Sequence, residues 1–79
     1  MDDDPNPNDG GEALAQSGKA EYNAGRFAAA LPLLRRAGDK GHAEALNMLG
    51  IMHLVGEGGL KQDPAKAAQL FQRSADGGC

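Results

Sequence analysis

The stretch Val55–Lys66, "VGEGGLKQDPAK", decides how the rest of the chain is read. Gly56, Gly58 and Gly59 stand just ahead of Lys61, and glycine-rich loops followed by lysine can cradle phosphate. The competing reading is that the glycines only let the chain reverse between two helices. A phosphate loop of the Walker type needs G-x-x-x-x-G-K followed by Ser or Thr, between a strand and a helix. Here Gly59 is followed by Leu60, Lys61 and Gln62, and Thr occurs nowhere in the chain. A dinucleotide fingerprint also needs a preceding strand, whereas the residues before Val55 have helical period. The turn reading accounts for the whole stretch. Gly56 ends one helix, the glycines permit positive φ, Leu60 tucks into the core, and Asp63 caps a new helix that has Pro64 at its first position.

Outward from the turn, apolar residues recur at helical spacing. The pattern predicts four helices, over about Glu12–Asn23, Arg26–Ala37, Ala43–Val55 and Pro64–Ala75. The third carries Ala45, Leu46, Leu49, Met52 and His53 on one face, the fourth Ala67, Leu70, Phe71 and Ser74, the second Ala30, Leu31, Leu34 and Ala37. Nothing alternates for long enough to make a strand. Pro32 falls inside the second helix and removes a backbone donor, so a kink is expected there. Gly41 is a natural stop, and Gly38 weakens the end of the second helix.

The helices repeat. "AAALPLLRRAGDKGH" (Ala28–His42) lies over "AKAAQLFQRSADGGC" (Ala65–Cys79) without gaps at an offset of 37. Leu33 meets Leu70, Leu34 meets Phe71 and Arg36 meets Arg73. The preceding helices align at an offset of 32, with Leu14 on Leu46 and Gly18 on Gly50. The five-residue difference falls in the connection between helices, which is the glycine stretch. The chain is therefore read as two helix–turn–helix units, about 12–42 and 43–79, behind an acidic and disordered tail over 1–10.

Gly18, Ala20, Gly25, Phe27, Ala30, Leu34 and Ala37 fit the tetratricopeptide pattern of small and large packing residues. The second unit is more specific and resembles a Sel-one-like repeat, the tetratricopeptide relative with an extended glycine turn. Its marks are Leu49-Gly50, Gly56-x-Gly58, Asp63, Lys66-Ala67, Phe71, and Ala75 before Gly77-Gly78. His53 in place of the usual tyrosine, the extra Gly59 and Ser74 are departures. The resemblance implies an all-α fold, a short α-solenoid of two antiparallel helix hairpins, and a role in contacts with other proteins.

Composition narrows the function from another side. The tail holds Asp2, Asp3, Asp4 and Asp9, and beyond it eight Lys or Arg stand against seven Asp or Glu. A body so close to neutral has no electrostatic footprint for nucleic acid. No run approaches the roughly 20 apolar residues of a membrane helix. The start lacks the basic and apolar regions of a secretory leader, so a cytoplasmic location is expected. Cys79 is the one cysteine and has no internal partner. His42, His53 and Cys79 lie too far apart in sequence for the paired spacing of zinc sites, so no metal is expected. Ser17 and Ser74 lack a matched histidine, and no carboxylate pair stands out. The chain is expected not to be an enzyme, with no cofactor and no small-molecule substrate.

What remains is surface. In tetratricopeptide-like arrays the first helix of each unit lines an inner groove, so the resemblance implies partner contacts there. Outside the packing set the first helix offers Glu12, Ala15, Lys19, Tyr22 and Asn23, and the third offers Glu44, Asn47, Ile51, Leu54 and Val55. Lys19, Tyr22, Asn23, Asn47, Ile51 and Leu54 are the candidate partner-binding residues; packing of Ile51 and Leu54 beneath the glycine turn is the competing reading. Two repeats without a capping helix leave Leu70 and Phe71 as a possible association surface. A protein-interaction adaptor is the leading expectation. A self-stacking structural subunit and a small inhibitor or immunity-type protein that blocks a partner are the alternatives.

Overall fold

A computed structural model describes residues 11–77. Over them the chain forms α1 (Glu12–Asn23), α2 (Phe27–Asp39), α3 (Ala43–Val55) and α4 (Pro64–Gly77), with no strand among the described residues. The acidic tail lies outside the described residues.

Both ends of α1 and α3 fall where the periodicity puts them. Helix α2 starts one residue later and runs two residues further than expected. The extension takes in Gly38. It is buried inside the helix, and a Cβ on it would come 3.0 Å from Leu46 Cδ2 and 3.1 Å from Leu49 Cδ1. Its absent side chain lets α2 close on α3, so its role is packing rather than weakening. The helix then ends in a Schellman motif. The His42 N–H reaches the Ala37 carbonyl (3.1 Å) and the Gly41 N–H reaches Gly38 (2.9 Å). Helix α2 runs through Pro32, which is exposed.

Short connections make α1 and α2 one hairpin, and α3 packs with α4 as the second. Helix α2 also packs on α3, α1 touches α3 more lightly, and α4 packs on α3 alone. The core lies where these helices meet. Ala30, Leu34, Ala37, Ala45 and Met52 are wholly covered, and Leu31, Leu46, Leu49, Ala67 and Leu70 are buried beside them. Four alanines stand among the leucines of this set, and their short side chains let the helices come close.

The glycine stretch does what a turn must do. Gly56 takes a left-handed conformation (φ +84°), and its N–H and that of Glu57 bond to the Met52 carbonyl at 2.8 and 3.0 Å. Gly58 also has positive φ, and a Cβ there would press on Met52 Cε at 3.0 Å and the Phe27 carbonyl oxygen at 3.1 Å. Only glycine meets both demands. Leu60 packs partly buried on the core, as expected. The Asp63 N–H donates to the His53 carbonyl, and Asp63 Oδ1 accepts from the Lys66 N–H at 3.1 Å, capping α4.

Candidate functional site

The inner face is built from α1, α3 and the glycine turn, and three polar links hold it. Lys19 Nζ lies 3.0 Å from Glu44 Oε2, joining the two helices across exposed surface. An ion pair this open contributes about 0–1 kcal/mol and mainly fixes where the two side chains lie. His42 makes the second link. Its Nδ1 accepts from the Ala45 N–H at 3.2 Å, capping α3, while Nε2 sits 2.9 Å from Glu12 Oε1. Hydrogen bonds from His42 and Gln16 hold the Glu12 carboxyl below its ordinary range.

The third link is the most consequential. Tyr22 Oη donates to Glu57 Oε1 at 2.8 Å, tying the end of α1 to the glycine turn thirty-five residues away. The ring packs edge-on against Phe27, with centroids 4.9 Å apart. Burial and the neighbouring carboxylate both push the Tyr22 hydroxyl above its ordinary pKa. Glu57 is therefore half-buried and engaged.

Other candidate residues fall into three groups. Asn23 and Asn47 are exposed, and Leu54 is 42% exposed. Ile51 is half-buried, one turn back from Leu54 on α3. Ala15, set outside the packing residues by its position, is in fact core at 3% exposure. Leu70 also corrects an expectation. At 5% exposure most of it is covered by the α3–α4 contact, which leaves little of it for self-association. Phe71 is half-buried, its ring against Gly50.

The sequence reading placed Val55 among the groove positions but gave it no weight. It is 58% exposed, and with Leu54 it makes the pair of large apolar side chains left open among the described residues. Helical period could not single it out, because α3 is apolar on nearly all sides. Among those residues, no group of three or more His, Cys, Asp or Glu side chains is placed to hold a metal ion. No described helix is long and apolar enough to cross a membrane.

Residues 43–79 match the family model of the Sel1 repeat. That span takes in α3, the glycine turn and α4. No curated protein and no solved structure matches the chain.

Proposed function

We propose, from the match of residues 43–79 to the family model of the Sel1 repeat, that the chain is a protein–protein interaction adaptor that seats its partner on the α1–α3 face. Repeats of this kind generally mediate protein–protein interaction. The observation that carries the proposal is the exposure of Leu54 and Val55, adjacent at the end of α3. Half-buried Ile51 extends this apolar strip by a turn, and exposed Asn23 and Asn47 add polar groups. An apolar centre with a polar rim is the usual anatomy of a docking patch.

The self-stacking reading has less support. It needs an apolar outer surface on α4, where Leu70 and Ala67 are covered and the outward residues are Ala65, Ala68, Gln69, Gln72 and Arg73. The inhibitor reading uses the same docking and differs only in what happens to the partner's activity.

Affinity capture with three full-length chains tests the proposal: the native form, Leu54→Asp/Val55→Asp, and Gln69→Asp on α4. A partner held by the first and third and lost by the second supports it. The same partner recovered equally with all three overturns it.

A further inference from the structure

The molecule has a second concavity, away from the strip just described. Helices α2 and α4 both pack on α3 but not on each other, so a cleft of about 250 Å³ opens between them. Leu46 and Leu49 of α3 line it together with Leu70 of α4, and Gly38 on α2 adds no side chain to its wall. Arg35 enters it from α2, and Lys66 and Arg73 enter it from α4. We propose that this cleft is a second docking site, and that it takes an acidic segment of a partner protein which places an aliphatic side chain on the leucines and carboxylates on Arg35, Lys66 and Arg73.

Three observations carry this reading. The first is charge. Three permanent cations converge from two helices, against one carboxylate, Asp39, in the same lining. Among the described residues, none of the three cationic side chains has a hydrogen-bond or ion-pair partner. A pair of arginines over an apolar floor suits carboxylates, which guanidinium groups bind bidentately. The second is the field inside the cleft. His53, which also lines it, is held below its ordinary pKa first by burial and then by the positive charges of Lys66 and Arg35, with Asp63 opposing. The third is size. Small-molecule pockets run to roughly 300–1,000 Å³, and this one is smaller and half open. It fits a side chain rather than a cofactor.

A broad anionic surface fits less well. Nucleic acid and acidic membranes call for basic residues spread over a face. Here Arg35, Lys66 and Arg73 surround one leucine-floored cleft, in a body with eight Lys or Arg against seven Asp or Glu.

The probe is a fluorescein-labelled peptide of leucine and glutamate, set against the same peptide with glutamine for glutamate. It is titrated into the full chain, and into a full chain with Asp2, Asp3, Asp4 and Asp9 changed to Asn so that the chain's own carboxylates do not compete. The glutamate peptide is expected to bind with backbone amide shifts centred on Arg35, Leu49, His53 and Lys66. The Kd should rise at least about tenfold in Arg35→Glu/Arg73→Glu, as for loss of paired charges. It should stay unchanged in Leu54→Asp/Val55→Asp. Arg35→Gln/Arg73→Gln should give the same ordering with less demand on the fold, and circular dichroism checks that both variants remain helical. Equal binding of the glutamine peptide, shifts confined to α1 and α3, no effect of either arginine pair, or binding of phosphatidylserine vesicles but not of the peptide would each overturn the proposal.

Discussion

Gly50 faces the ring of Phe71 so closely that a Cβ on Gly50 would lie 2.5 Å from Cε1 and 2.8 Å from Cδ1. One unit earlier Gly18 stands in the same relation to Leu34, where a Cβ would lie 2.7 Å from Cδ2. Gly18 aligns with Gly50 and Leu34 with Phe71, so the repeat in the sequence is a repeat of one packing contact. In each hairpin a glycine on the first helix admits a large apolar side chain from the second.

Gly50→Ala therefore sets two effects against each other. Alanine improves helix propensity by about 1 kcal/mol, while overpacking a closed contact costs about 1–3 kcal/mol. The clash should win, because a Cβ 2.5 Å from Cε1 forces the ring out of its place against α3. Urea unfolding should show a lower midpoint with an unchanged slope. Gly50→Ala/Phe71→Ala should lose less than the sum of its single variants, since the new methyl then enters vacated space. Full additivity would show that the pair does not touch.

The cap on α4 makes a sharper comparison. Asp63→Ala removes the acceptor for the Lys66 N–H and should cost about 1 kcal/mol, or roughly 4–8 °C in Tm for a domain of this size. Asp63→Asn keeps an acceptor and should lose little. Equal losses in the two variants would assign the effect to charge instead.

Tyr22 is the only tyrosine and the chain has no tryptophan, so phenolate absorbance reports this one group. Burial and Glu57 raise its pKa, so its titration should centre above about 10. Because the folded state holds the proton more tightly, this stabilisation is complete below the unfolded value and is lost as pH rises through the folded one. Glu57→Gln should move the midpoint downward while leaving the burial contribution in place. An unmoved midpoint would mean that the bond to Glu57 is not formed.

His53 works at the other end of the pH scale. Burial, Lys66 and Arg35 lower its pKa, so the unfolded chain takes up a proton first on acidification. Its contribution to stability is present above the unfolded value, about 6.5, and fades as pH falls toward the lower folded value. The ring-proton shift should titrate below that of an unfolded histidine, and Lys66→Glu should move it upward. His53→Gln should flatten the stability profile in that window.

The helices, the turn and the cap were legible in the sequence because each depends on local chemistry: apolar spacing, glycines at positive φ, Asp63 ahead of Pro64. Gly38 was misread because its value lies in how close α3 comes, which no local pattern shows. Leu70 was misread for a related reason. Counting repeats suggested an uncovered face, but the α3–α4 contact alone covers that side chain. The Tyr22–Glu57 bond spans thirty-five residues of chain, and the cationic cleft joins side chains from α2 and α4. Both come from the angle between hairpins, which the sequence leaves unstated.

The α1–α3 face as the docking surface is the claim on which the functional reading rests. Hydrogen–deuterium exchange of the full chain, free and with its captured partner, tests it most directly. The account predicts slower exchange over 51–57 and around Tyr22 in the complex. Unchanged exchange there, with slowing elsewhere on the chain, would contradict it.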